Sequence, residues 1–204
     1  MGIFLPSSPV ALQPVHPPVA VFPAFISQGP VTLVLREQIF SLSGDDFSVK
    51  DAATGKTVVR CKGKVISFRD RKNVTDASGN LLFSMRDKLI ALMSTFVAED
   101  ARGNELFRVK RNIALGTKMT ATFRNANTGE NAELSMRGDM FGLGSTITLN
   151  GNIPVAQISR KLLHMREWIA DKQTYYVTVA PGVDLALIAA LCIAFDEVKN
   201  EKKD

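Results

Sequence analysis

The sequence holds little of what enzymes and metal sites are usually built from. Its 204 residues include two histidines, two cysteines, two tyrosines and one tryptophan. It contains no C-x-x-C, no H-E-x-x-H and no phosphate-binding loop. The glycines between Gly138 and Gly144 lack the Lys-Ser/Thr that would follow in such a loop, and read as a loop or bulge between strands. His16 lies among prolines. His164 has no Ser or Cys placed by a recognisable motif to act as its nucleophile, and reads as a surface or interface residue. No catalytic, cofactor-binding or metal-ligating residue is expected, and the chain is not expected to be an enzyme.

Other scarcities narrow the class further. Cys61 and Cys192 each stand in an apolar run, so two buried thiols in a reducing compartment are expected rather than a disulfide framework. Prolines from Pro6 onward interrupt any secretory h-region, and Pro6 occupies the position where a myristoylation signal after Gly2 wants Ser or Thr. A cytoplasmic protein is expected. The net charge of +5 mildly favours anionic partners but is too small to indicate nucleic acid.

Proline is concentrated where other structure is absent. Pro6, Pro9, Pro14, Pro17, Pro18, Pro23 and Pro30 precede residue 31, and only two prolines follow. Each removes an amide donor and fixes φ, so neither a helix nor a central strand runs through residues 1–30. This block reads as an extended arm or plain linker, with Phe22, Phe25 and Ile26 available to pin part of it to the rest. No P-x-x-P stands among the basic residues that would mark it as a ligand for another domain.

What is abundant is repetition. Turn signals open at Asp51, Asp76, Asp100, Asn125 and Asn150, and each is closed by a glycine: Gly55, Gly79, Gly103, Gly129 and Gly151. The openings recur at steps of 25, 24, 25 and 25 residues. Asp or Asn bonds its own backbone and Gly supplies positive φ, so each signal marks a hairpin. A fixed period marks a repeated unit. Segments of alternating polarity flank the turns. Leu81, Phe83 and Met85 oppose Leu82, Ser84 and Arg86; Met119, Ala121 and Phe123 oppose Lys118, Thr120, Thr122 and Arg124. Period two with one polar face means antiparallel strands on one core. Val65–Phe68, Thr32–Leu35, Phe47–Lys50 and Tyr175–Val179 bring the expected count to about twelve. An open sheet of that size leaves edges exposed, so closure into a β-barrel is expected. Such a barrel is too wide for its own side chains to fill.

The filler is the C-terminal segment. From Leu185 to Phe195 every residue is apolar, Pro181-Gly182 breaks the preceding strand, and Asp184 suits an N-cap. A helix over about 183–199, apolar on every face, belongs inside protein or membrane. The run is 11 residues, against the roughly 20 needed to span a bilayer. A buried plug is therefore expected, with no transmembrane segment. The fold class is mostly β: an antiparallel barrel over 31–204 enclosing a hydrophobic C-terminal helix.

Several stretches, in this order, resemble the LURP-one-related family within the tubby-like fold. They are Asp46 to Asp51 leading to Gly55, Lys62 to Lys64, Arg69 to Lys72, Asp76 to Gly79, Leu106 to Arg111, and Tyr176 to Asp184 with its apolar tail. The resemblance spans roughly residues 30–200. It implies a twelve-stranded barrel around a central helix, without a settled biochemical activity. Tubby proteins bind membrane phosphoinositides and phospholipid scramblases are related in fold, but no functional residue of either aligns here.

Basic residues follow the repeat. Lys62 and Lys64 stand at +7 and +9 from Gly55, and Arg86 and Lys88 at the same offsets from Gly79. Lys110 and Arg111 stand at +7 and +8 from Gly103, Arg137 at +8 from Gly129, and Arg160 and Lys161 at +9 and +10 from Gly151. Equal offsets put them at the ends of return strands, on one rim. The turn end carries Asp51, Asp76, Glu99, Asp100 and Glu130 instead, while Arg69, Arg71 and Lys72 fall outside the pattern, near the opposite end. A monomer with a basic rim is expected to dock anionic lipid headgroups or an acidic protein partner, peripherally at the inner face of the plasma membrane. The competing readings are a protein-interaction scaffold in stress or defence signalling, as the family context suggests, and a scramblase-like membrane protein.

Overall fold

The computed structural model describes residues 11–36, 47–62, 72–90, 93–112, 118–137, 145–159 and 174–200. Twelve strands form in chain order: β1 Val31–Arg36, β2 Phe47–Asp51, β3 Thr57–Lys62, β4 Lys72–Asp76, β5 Leu81–Ile90, β6 Met93–Glu99, β7 Glu105–Asn112, β8 Lys118–Arg124, β9 Asn131–Arg137, β10 Ser145–Leu149, β11 Ile153–Ser159 and β12 Thr174–Val179. Each pairs antiparallel with its sequence neighbours, and β1 closes the ring against β12, from Val31 opposite Val179 to Arg36 opposite Thr174. The barrel has no free edge.

The repeated signals are the turns joining β2–β3, β4–β5, β6–β7, β8–β9 and β10–β11, so they gather at one end. At Asp76, Oδ1 accepts from the amides of Ser78 and Asn80, and Oδ2 from Asn80 Nδ2 at 2.8 Å. Asp100 repeats this with Arg102 and Asn104. In each the Asn side chain leads in holding the carboxyl below its ordinary range. Asn150 and Gly151 both take positive φ, as a two-residue hairpin turn requires.

Alternation places Val59, Cys61, Val74, Phe83, Met85, Phe107, Val109, Ala121, Leu134, Met136 and Ile147 on the inner wall, all fully or nearly buried. Leu81 departs from the expectation. It is 41% exposed although Phe83 and Met85 are buried, because a register shift opposite Val74/Thr75 separates the turn-proximal end of β5 from the rest of the strand. Inside runs α1, Leu185–Asn200, whose residues Ala186 to Ala194 are all within 1% of complete burial. Within a closed ring of single strands, a helix buried on every side occupies the lumen, and α1 touches both β3 and β7. No helix among the described residues is long and apolar enough to cross a membrane.

Three expectations need correction or placement. The strand paired with β5 is Lys72–Asp76; Val65–Phe68 lies outside the described residues. Lys72, as the first residue of β4, therefore stands at the rim end beside Lys62, whose register partner is Asn73. Residues 11–30 are no plain linker: they run across the turn end, with Val15, Val19 and Ala20 buried.

Candidate functional site

Strand direction alone gathers the basic residues. Odd-numbered strands leave the turn end and even-numbered ones return to it. The rim end thus carries Lys62 as the last residue of β3, Lys110 and Arg111 just before the end of β7 at Asn112, and Arg137 as the last residue of β9. It also carries residues that equal spacing did not reveal: Arg36 ending β1, Lys72 opening β4 and Lys118 opening β8. Asp87 is the acidic strand residue nearest that end, and α1, which starts at the turn end, brings Asp196, Glu197 and Lys199 toward it. Lys88 and Lys110 both lie opposite Thr95, so their backbones are two strands, about 10 Å, apart. Lys110 is exposed. Lys118 and Arg137 are direct register partners. Like charges placed opposite one another work against pairing; Lys118 is partly relieved by Glu133, at 3.7 Å.

Arg86 does not belong to this set. Because β5 is ten residues long, the offset that ends other strands falls inside this one. Arg86 is half-buried and ion-paired with the buried Glu99. Lys64, Arg69, Arg71, Arg160, Lys161 and His164 lie outside the described residues.

The opposite end is sealed by residues 14–27 and the β12–α1 junction. Asp184 caps α1: Oδ1 accepts from Leu187 N–H at 3.0 Å, and Oδ2 accepts from Val21 and Phe22 N–H at 3.1 and 2.7 Å. Val19 and Val183 bridge in parallel, with Val19 N–H donating to Gly182 O and Asp184 N–H to Val19 O. Asn125, in the β8–β9 turn, grips the segment from its other side, accepting from Ala20 N–H and donating to Pro18 O. Phe22 stacks on Phe83 with ring centroids 5.7 Å apart. The hydrogen-bond partners that hold residues 18–22 are more than 100 residues away in sequence, and of these contacts only the Asp184 cap and the pinning role of Phe22 were legible beforehand.

Burial raises the Asp184 carboxyl to about 6 from an ordinary 3.8, against the pull of the amides of Leu187, Phe22 and Val21. Protonation therefore favours the folded state: this stabilisation is complete below pH 3.8 and is lost as pH rises through about 6. Between pH 5 and pH 7.5 the difference amounts to about 1 kcal/mol, or about 3 °C in melting temperature. The expected result is a higher melting temperature at pH 5 than at pH 7.5. That difference should shrink in Asp184→Asn, both measured with His16 and His164 replaced by Gln. An equal pH response in the two proteins would refute the assignment.

A closed antiparallel barrel whose lumen is filled by its own helix defines a class in which a ligand meets an outer wall or an end, not an interior pocket. The chain belongs to the LURP-one-related family, whose model matches residues 31–196. It is similar to Protein LURP-one-related 15 of Arabidopsis thaliana, 23% identical over 192 residues and covering 91% of this chain and 88% of that one. It is likewise similar to the uncharacterized protein YxjI of Bacillus subtilis (strain 168), 22% identical over 174 residues, covering 85% and 97%. An X-ray structure of an Arabidopsis thaliana protein superposes with a TM-score of 0.60 at 20% identity, over 89% of this chain and 98% of that one, which establishes the shared fold.

Proposed function

We propose that the chain is a non-catalytic binding module that docks peripherally on anionic phospholipid, phosphoinositide headgroups included, through its basic rim at the cytoplasmic face of the plasma membrane. The observation that carries this reading is the gathering of Lys62, Lys72, Lys110, Arg111, Lys118 and Arg137 at one end of the barrel by strand direction. Near an anionic leaflet each such residue contributes about 1 kcal/mol, and the attraction decays within a Debye length. With α1 in the lumen, headgroups are met at the rim rather than engulfed. A scramblase-like role is disfavoured, since α1 would have to leave a site in which Ala186 to Ala194 are almost wholly buried.

The test is sedimentation of the whole chain with vesicles. Binding is expected to phosphatidylserine vesicles containing phosphoinositide, weakening steeply as salt rises, and not to phosphatidylcholine vesicles. Absence of binding to anionic vesicles at low salt would overturn the reading, and retention by an acidic protein in the same buffer would favour the scaffold alternative.

A further inference from the structure

Granting the membrane reading above, on which this rests, we infer that the leaflet is met along the outer wall of β7–β9 near the rim, where Lys118 and Arg137 together hold the phosphomonoester of a phosphoinositide headgroup. Alternation divides the cations of the rim end between two faces. Val109, Met119 and Met136 are buried against the lumen, so Lys110, Lys118 and Arg137 take outward positions on β7, β8 and β9. Arg111, opposite Met119, and Lys72, opposite the buried Met85, take inward positions at the mouth. Asp87, opposite Phe96, is inward as well, and α1 runs toward the same mouth with Asp196, Glu197 and Lys199. Among the described residues the charges gathered at the mouth therefore cancel: Lys72, Arg111 and Lys199 against Asp87, Asp196 and Glu197. On the wall they do not. Arg108 is paired with Glu105, and Glu133 is the acidic residue of β9 set against Lys110, Lys118 and Arg137.

The three outward cations are neighbours. Lys118 and Arg137 are register partners, which sets their Cβ atoms about 5 Å apart, and Lys110, opposite Thr120, stands diagonal to Lys118 at about 7 to 8 Å. Two cations directly opposite each other work against strand pairing. Lys118 reaches instead along the wall to Glu133, at 3.7 Å, which is long for a charge-assisted hydrogen bond. An anion shared across β8 and β9 relieves the pair better. A phosphomonoester carries close to two negative charges and three acceptor oxygens, so one group answers both cations. A phosphodiester or a carboxylate, with a single charge, does not. The cations are spread along an open wall, with Lys110 exposed, so the phosphate they fit is one presented by a surface.

The probes are phosphatidylcholine vesicles of equal surface charge, one set containing phosphatidylinositol bisphosphate and the other phosphatidylserine. The full chain should bind the first at least about tenfold more tightly than the second. A chain with Lys118→Gln and Arg137→Gln should lose that preference. A chain with Arg60→Gln and Lys62→Gln, which removes two outward cations of β3, should bind both vesicles more weakly and keep the preference. A parent chain without the preference, or equal loss of it in the two variants, would overturn the inference while leaving anionic docking intact; no binding to either vesicle would overturn both. A second measurement reads the wall itself. Cys61 and Cys192 are buried, so a polarity-sensitive dye can be placed at Thr122→Cys on β8 or at Ser48→Cys on β2, six strands away around the ring. Counted from the rim, Ser48 is the second residue of its strand and Thr122 the fifth, so end-on docking favours a response at Ser48. On phosphoinositide vesicles the dye at Thr122 should shift to the blue and the dye at Ser48 should not. An equal shift at both, or a shift at Ser48 alone, would overturn the inference.

Discussion

Replacing Leu187 by Ala is expected to cost about 3 to 4 kcal/mol of folding stability and to lower the melting temperature by about 10 °C. Leu187 is among the largest fully buried side chains and sits in the first turn of α1, inside the barrel. Its deletion removes the transfer free energy of the lost methyl groups. It also leaves a void that a closed ring of hydrogen-bonded strands cannot collapse to fill, which puts the cost in the upper part of the usual range. Leu81→Ala is the matched control. That side chain is 41% exposed, and its loss is expected to change stability by no more than about 0.5 kcal/mol. Chemical denaturation of the three proteins checks the contrast; equal effects at the two positions would mean that α1 does not fill the lumen.

Gly182→Ala is expected to cost about 3 kcal/mol, several times the cost of Gly79→Ala. Both glycines have positive φ, +81° and +92°, so both substitutions carry the left-handed strain of roughly 1 kcal/mol. They differ in surroundings. A Cβ at Gly79 meets open space, whereas one at Gly182 lies 2.4 Å from Val15 O, and a backbone atom cannot rotate aside. The 14–27 segment must shift, which strains the Val15–Pro181 and Val19–Gly182 hydrogen bonds and uncovers Val15. The result should appear twice, as a lower melting temperature and as faster proteolysis within residues 11–30. Gly79→Ala should change proteolysis there not at all. Equal behaviour of the two variants would contradict the packing described.

Much of this architecture was legible in the sequence because it rests on local rules. Asn150-Gly151 specifies its own turn, and the alternation of Met119, Ala121 and Phe123 with threonines and basic residues specifies a one-sided strand. The apolar run of α1 was too short for a bilayer and too uniform for a surface. Where local rules gave out, non-local structure was deciding. Arg86 carries the spacing of a strand end, but β5 runs on to Ile90 and Glu99 takes its charge. Lys72 was misplaced because the strand leading to the Asp76 turn was expected at Val65–Phe68, whereas β4 is Lys72–Asp76 and opens at the rim end. The proline-rich segment looked like a linker since prolines abolish periodicity. Its anchors, Asn125 and Asp184, lie far along the chain and carry no signal of a shared partner.

The two ends of the barrel thus differ in kind. One is closed by a hydrogen-bonded segment and edged with carboxylates; the other gathers cations where the strands leave the core. The measurement that bears most directly on this polarity is vesicle sedimentation of two charge-neutralised full-length chains. One carries Lys62, Lys110 and Arg137 as Gln; the other carries the turn-end residues Lys50, Lys56 and Arg102 as Gln. Each loses three positive charges, so any effect of net charge is shared. The rim variant is expected to lose about fivefold in partitioning per charge and to show a shallower salt dependence, with the turn-end variant close to the parent. Equal losses in the two chains would contradict a basic rim as the membrane-facing end.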